Sequence, residues 1–419
     1  MSIHKIRTRS LVSKRVAALV SGLVLLLSAC VAPPPPPEIV PVPEPPPVAE
    51  IPVEPLQPVP WDEIEGWPGT DLLASFEAFV AGCRALRFKE EWQDACTAAT
   101  ELEAKSGTTL MQFYERWFVP HKVYNEDGSD TGTITGYYVP DLDGSRVRTD
   151  RFRFPLYAVP DDLLVIDLRN VYPELGSYRL RGRVDGRRVV PYFSRSELDD
   201  GVDSLSGKEL FWVDDPVELF FLHIQGSGRI NLENGEKVMV NYAEQNGHPY
   251  RSIGRLLLER GEMTRDQMSM QNIRLWAQDN PDQVPALLGE NPSFVFFREL
   301  ESRIQSPPGS LGIPLTPQVS IAVDPRVIPL GAPVFLDTTW PYNPKPLRKL
   351  MVAQDTGGAI KGNVRGDFFW GMGDEAGALA GRMKQDGRFW VLLPRSLEEG
   401  VTGSAAEVHK ENREIAGGG

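Results

Sequence analysis

The sequence predicts an α+β chain, mainly β, with a group of helices near its N-terminal end. Three observations carry that expectation. Between Asp71 and Trp92, apolar residues recur at helical spacing, as Leu72, Leu73, Phe76, Phe79, Val80, Leu86 and Trp92. Past Gly128 the texture changes to short β-branched and aromatic runs broken by Gly, Pro and Asn-Gly turns. Past Leu311, strand-like runs at 319–323, 333–336, 350–353 and 388–393 enclose one helical stretch at 374–384, with Asp374 as its N-cap. Short strands, tight loops and one helix suggest a small barrel.

In chain order, the first thirty residues have a basic start and an apolar core at 16–27, then Leu27-Ser28-Ala29-Cys30. That core is shorter than a membrane-spanning helix and suits a secretory signal. Its ending resembles a bacterial lipobox, which implies a lipoprotein signal peptide over 1–30 with Cys30 as the lipidated residue. Val31 follows it, not the aspartate that retains many such proteins at the inner membrane. The expected location is therefore the outer membrane, lipid-anchored and facing the periplasm. Residues 31–60 are dominated by proline, with Pro33 to Pro37 uninterrupted, and read as an extended linker. Residues 397–419 are polar and read as a disordered tail.

Charge and cysteines narrow the class. Of 44 Lys and Arg, five (Lys5, Arg7, Arg9, Lys14, Arg15) lie in the signal, leaving 39 against 57 Asp and Glu, a net charge of −18. An acidic surface argues against nucleic acid as a partner. With Cys30 assigned to lipid, Cys83 and Cys96 remain. An exported compartment permits a disulfide between them, and their thirteen-residue separation suits a staple between two short antiparallel helices. That reading is favoured over two free buried thiols. The five histidines are scattered, so no metal site and no cofactor is expected.

The helical texture continues over 94–106 and 109–117, where Phe113, Tyr114, Trp117 and Phe118 read as a core stripe. The run 133–140 is a strand on which the adjacent Tyr137 and Tyr138 point to opposite faces, so one can line a cleft while the other packs. Short strands follow at 154–159, 163–167, 189–193 and 210–213. The stretch 217–229 reads as an apolar strand ending in Gln225-Gly226-Ser227-Gly228, which is either a plain hairpin turn or a place where an amide and a hydroxyl meet sugar hydroxyls. A returning strand at 231–240 turns at Asn234-Gly235. Helices at 251–258 and 263–279 and a strand at 294–298 complete this region.

Three acids stand where chemistry is expected. Asp324 ends the run 319–323 and precedes Pro325, while Asp355 follows the run 350–353 through Gln354 and enters Thr356-Gly357-Gly358. Asp367 stands between Gly366 and Phe368-Phe369-Trp370, read as emerging from a loop. An Asp beside Gly or Pro is commonly a turn former. Three of them at the ends of apolar runs within 44 residues point instead to general acid–base work. If two meet, repulsion raises the pKa of one, which then keeps a proton to donate.

The ordered motifs from about residue 130 to 395 resemble the membrane-bound lytic murein transglycosylase A family. They are Thr135-Gly136-Tyr137-Tyr138-Val139-Pro140, Pro191-Tyr192-Phe193-Ser194-Arg195, His223-Ile224-Gln225-Gly226-Ser227-Gly228, Asn241-Tyr242-Ala243, Asn246-Gly247-His248-Pro249-Tyr250 and Asn291-Pro292-Ser293-Phe294. Asp324-Pro325, Asp355-Thr356-Gly357-Gly358 and Gly366-Asp367-Phe368 resemble the three-aspartate module that ends such enzymes. The resemblance implies a double-psi β-barrel from 61–139 and 301–396, with a second β domain, 140–300, inserted as the other wall of a glycan groove. It implies cleavage of the β-1,4 bond between N-acetylmuramic acid and N-acetylglucosamine, leaving a 1,6-anhydro end. Asp367 would be the catalytic acid, Asp355 its partner and Asp324 a supporting acid, with Tyr137, Tyr138, Gln225, Gly226 and Ser227 as substrate-binding candidates. Peptidoglycan strands are the implied partner, beside the membrane and candidate cell-wall synthesis proteins. Two alternatives stay open: a lipoprotein that binds murein without cutting it, and a glycan hydrolase that uses water.

Overall fold

A computed structural model describes residues 53–69 and 71–397. Cys30, the signal, the linker up to residue 52 and the tail from residue 398 lie outside the described residues. Among the described residues, no helix is long and apolar enough to cross a membrane.

The N-terminal part runs β1 (Leu56–Pro58), α1 (Leu72–Leu86), α2 (Glu90–Glu101), α3 (Gly107–Trp117), β2 (Phe118–Val123) and β3 (Gly132–Val139). An inserted body follows, with β4 (Asp141–Ser145), β5 (Phe154–Tyr157), β6 (Leu164–Val165), β7 (Arg181–Asp185), β8 (Arg188–Pro191), α4 (Arg195–Asp199), β9 (Glu209–Val213) and α5 (Pro216–Gln225). It continues through β10 (Ser227–Leu232), β11 (Lys237–Gln245), α6 (Ile253–Glu259), α7 (Met270–Asp279), α8 (Val284–Gly289) and β12 (Val295–Glu299). The C-terminal part is β13 (Ser320–Val323), β14 (Pro333–Thr339), β15 (Pro346–Asp355), β16 (Arg365–Met372), α9 (Gly373–Ala380) and β17 (Lys384–Pro394).

One sheet orders its strands β1-β2-β17-β14-β15-β13-β16-β3, and β17 also pairs with β3. Six strands, from β17 round to β3, therefore close into a barrel, which removes its free edges. Its interior is filled by Ile134, Ile321, Val334, Leu350, Val352, Phe368, Phe389 and Val391, and the same core continues into Phe76, Phe79, Phe113 and Tyr114 of the helices. The helices are thus a lid on the barrel. Two side chains tie α1 to β15: the Ser75 hydroxyl donates to the Leu350 carbonyl, and Gln354 Nε2 donates to the Ala78 carbonyl at 3.1 Å. The inserted body has a six-stranded sheet, β12-β11-β10-β4-β9-β5, and a separate three-stranded one, β6-β7-β8. It carries its own apolar clusters.

Cys83 of α1 and Cys96 of α2 are bonded to each other. Closing a loop of this size restricts the unfolded chain, so Cys83→Ser with Cys96→Ser is expected to cost about 3 kcal/mol of stability. Denaturant titration would read the loss, while activity at temperatures where the variant is folded should be unchanged.

Several expectations are corrected. Residues 216–225 form a helix, not a strand. Asp215 caps it by accepting from the amides of Val217 and Glu218, Pro216 occupies its first turn, and Gly226 closes it at φ 76°. The run looked strand-like because both sides of the helix are covered: Phe220, Phe221, Leu222 and His223 are all buried. The linker read as reaching residue 60 contributes β1, which pairs antiparallel with β2. Met372, not Asp374, is the N-cap residue of α9, although Asp374 and Glu375 lie in its first turn, where the helix dipole favours them. The helix expected over 263–279 starts only at Met270, where Ser269 accepts from the Asn272 amide. Asp367 sits inside β16, not in a loop. Gly366 suggested a loop but is there for space, because a Cβ on it would lie 2.6 Å from Phe389 Cζ and 2.9 Å from Ile321 Cδ1.

Candidate active site

Strand pairing brings two of the three acids into one row. β13 lies between β15 and β16, and Ala322 at its centre is paired with Asp367 on one side and Asp355 on the other. Thr135 of β3 extends the row beyond Asp367. Asp355 reaches this register through an irregularity: Ile321 pairs with Ala353, yet the next residue, Ala322, pairs with Asp355, so Gln354 is an extra residue in β15. Such a bulge re-aims the side chain that follows it. Without it, Gln354 would face Ala322. Gln354 is fully buried and held on both ends, since its Oε1 accepts from Ser320 Oγ at 2.6 Å while its amide holds α1. The small Ala322 side chain leaves the two acids open toward each other. Two interstrand spacings put their backbones about 10 Å apart.

The acids have different surroundings. Asp355 accepts from the Ser310 amide at 2.9 Å and the Ser310 hydroxyl at 3.0 Å on one oxygen, and from the Tyr137 hydroxyl at 3.0 Å on the other. Tyr137 is steadied by the Phe369 ring, 5.1 Å away. Burial raises the Asp355 pKa, and the bonds from Ser310, Thr356 and Tyr137 oppose that rise. Asp367 has one side-chain donor, the Thr135 hydroxyl at 2.6 Å, and that hydroxyl accepts from Arg365 Nη2 at 2.8 Å. Burial pushes Asp367 up to about 6; Thr135 and Arg365 oppose the shift, and the Asp355 charge adds to it. Both residues are half-buried, and the protein strips most of the hydration from their carboxyls. Burial raises both carboxyls; Asp355 is the better supplied with donors that suit a carboxylate, and Asp367 has a single side-chain donor.

Asp324 is not brought into this row. It follows β13, is 1% exposed, and is held by Arg326 Nε at 2.9 Å and by the Gly362 amide at 3.1 Å. The Arg326 guanidinium beside it holds its carboxyl well below the usual carboxylate range, with the Gly362 and Arg326 amides adding to the effect. A permanently ionised anchor cannot donate a proton, and its contact with Gly362 steadies the loop that joins the two acids.

Of the sugar-binding candidates, Tyr137 is the one at the acids. Tyr138 points to the other face, is 3% exposed, and directs its hydroxyl to Met270 Sδ at 3.5 Å. Gln225 Oε1 accepts from the Tyr138 amide at 3.2 Å, Gly226 closes α5, and Ser227 Oγ accepts from Asn241 Nδ2 at 2.7 Å. These polar atoms already have partners within the fold: Gln225 joins the inserted body to β3, and Ser227 ties β10 to β11. Thr135 and Arg365 are not among the candidate site residues of the sequence, although each stands two residues before one of them on the same strand, and so on the same face. Ser310 lies in the connection between β12 and β13, where no pattern marks it.

The triplet Asp-Thr-Gly occurs twice, at Asp130 and Asp355, which is the local pattern of an aspartic protease dyad. Asp130 is paired with Lys122 at 2.5 Å and shares no hydrogen bond with Asp355. A cavity of about 1050 Å³ lies in the inserted body, lined among others by Arg195, Asp199, Leu288 and Phe294. None of the three acids lines it, so concavity alone does not find the acid pair.

Two family models match the chain, the MltA specific insert domain over residues 133–298 and the 3D domain over residues 319–393. MltA from Neisseria gonorrhoeae, a solved structure, is 40% identical, with a TM-score of 0.71 over 81% of this chain and 92% of that one. The chain belongs to the MltA family. The family's membrane-bound lytic murein transglycosylase A from Escherichia coli K12 is 35% identical over 267 residues, which is 62% of this chain. The match spans 65% of the length of that curated relative. A solved Escherichia coli MltA with bound chitohexaose is 28% identical, with a TM-score of 0.60 over 81% of this chain and 91% of that one.

Proposed function

We propose that the chain is a peptidoglycan lytic transglycosylase, a carbon–oxygen lyase that cleaves the β-1,4 bond between N-acetylmuramic acid and N-acetylglucosamine. The observation that carries this reading is the row Thr135–Asp367–Ala322–Asp355, in which a bulge turns one acid toward another that has a different set of hydrogen-bond donors. The names of its relatives and the chitohexaose bound by one of them support a murein glycan strand as the ligand.

Asp367 enters protonated and gives its proton to the bridging oxygen as the bond from that oxygen to the muramic C1 breaks. Positive charge develops on C1 and the ring oxygen, where an ionised Asp355 stabilises it. The C6 hydroxyl of the same muramic residue then attacks C1, and its proton passes to Asp367, which is restored. No water is consumed. A hydrolase needs a second carboxylate to activate water or to attack the sugar; here the hydroxyl is supplied by the substrate. Thr135 and Arg365 orient Asp367, Tyr137 and Ser310 hold Asp355, and Asp324 braces the loop between them.

The six-strand closure and the parallel pairs β13–β15 and β16–β3 support a double-psi connection of the barrel. The anchor at Cys30 would hold the enzyme at the outer membrane, and cell-wall synthesis proteins are candidate partners. Mass spectrometry of murein digested by the chain without residues 1–30 tests the reaction. Anhydro-muropeptides are the expected products. Reducing ends would identify a hydrolase, and retained binding without release would identify a murein-holding lipoprotein.

A further inference from the structure

The three-stranded sheet β6-β7-β8 has a surface unlike the rest of the molecule. Of the fourteen large hydrophobic side chains exposed among the described residues, seven lie between Val165 and Val189. Val184 and Val189 are direct cross-strand partners on β7 and β8, so they share one face, and they are 63% and 55% exposed. Tyr172 and Tyr178, in the connection leading to β7, are 49% and 65% exposed. At the hairpin tip between the valines stand Asp185, Gly186, Arg187 and Arg188, all exposed.

The charge of this part runs against that of the chain. Residues 163–191 contain Arg169, Arg179, Arg181, Arg183, Arg187 and Arg188 against Asp167, Glu174 and Asp185, a net charge of +3 within a chain of −13. Some of this is used internally, as where Arg181 pairs with Glu244 at 2.9 Å. Arg188 leans toward Asp185 at 3.2 Å, with both largely in water. Arg179 and Arg187 have no acidic partner among the described residues.

We propose that the β7–β8 hairpin is a docking finger for an anionic phospholipid surface. An exposed aliphatic pair, with exposed tyrosines and arginines in the same stretch of chain, carries the residue types that suit a bilayer interface. The valines enter the acyl boundary, the tyrosines lie at headgroup depth, and the guanidiniums meet lipid phosphates. The rest of the acidic surface is repelled by the same lipids, so contact is confined to this finger. The anchor proposed at Cys30 would bring the chain near such a surface without orienting it, and the finger supplies an orientation.

The test is co-sedimentation of the chain from Val31 onward, which has no lipid, with vesicles of phosphatidylcholine containing phosphatidylglycerol or of phosphatidylcholine alone. Binding to the anionic vesicles alone, weakened by salt, is the expected result. Removing two interfacial cations in Arg187→Gln with Arg188→Gln should lower partitioning about thirty-fold. Val184→Ser with Val189→Ser should weaken it too, and both variants should melt as the parent does. No binding to anionic vesicles, or binding that neither variant weakens, overturns the proposal. A self-associating parent that the valine variant dissociates would overturn it in favour of a second copy of the chain. None of these readouts uses murein cleavage, so they stand apart from the catalytic reading.

Discussion

Replacing Asp367 with asparagine is expected to lower kcat on murein by about a thousandfold, because one carboxyl both gives the proton to the leaving oxygen and takes it from the attacking hydroxyl. Asparagine keeps the volume and can still accept from Thr135, so glycan binding should survive. The parent's pH profile carries a second signature. Burial holds Asp367 at about 6, so product formation should fall as pH rises through that value and the proton is lost. Stability follows the same group. Its folded pKa is raised, so its contribution is fully present below the ordinary carboxyl range and is lost as pH rises to about 6. Above that window the parent carries a buried charge that Asp367→Asn does not. The variant should melt higher than the parent at alkaline pH and alike at acid pH. Equal kcat, or a melting difference of the opposite sign, would remove Asp367 from the role assigned to it.

Asp355→Asn is expected to cost about 10² to 10³ in kcat, the usual effect of removing one preorganised electrostatic contact to a developing charge. Its diagnostic is the direction of a second change. The Asp355 charge is one of the causes that raise Asp367, so the alkaline limb of the pH profile should move to lower pH in this variant. A merely structural role would leave that limb where it was. Ser310 donates to Asp355 through a backbone amide that cannot turn round, so the asparagine oxygen must face Ser310. Tyr137, whose hydroxyl can accept as well as donate, then meets the new NH2 group.

The sequence marked Asp324 and Asp355 because each ends an apolar run beside a chain-turning residue, and it marked the barrel because its strands are short, β-branched and evenly punctuated. What stayed hidden depends on partners far along the chain. The bulge at Gln354 exists only relative to β13, and no pattern within β15 announces it. Gly366 looked like loop punctuation because the Phe389 and Ile321 side chains that exclude a Cβ there are distant in sequence. Residues 217–225 lost their helical period because cores lie on both sides of them, yet Asp215, Pro216 and Gly226 were legible caps that outweighed the strand-like composition. Gln225 and Ser227 carry groups suited to sugar, and the contacts they make in the fold, Gln225 Oε1 with the Tyr138 amide of β3 and Ser227 Oγ with Asn241 of β11, lie far along the chain.

The barrel has a consequence for the order in which the molecule becomes active. β2 and β3 are made early, but three of their partnerships wait for strands that leave the ribosome last: β16 beside β3, and β17 against both β2 and β3. Until β16 has emerged, Asp367 has no Thr135 beside it, and until β17 has emerged the ring has no closing strand. The inserted body, with its own sheet, can form before the barrel closes. A chain that stops before β17 would be expected to retain the inserted body's own apolar clusters and no cutting activity. On the proposed reading, cutting waits for the strand that closes the barrel.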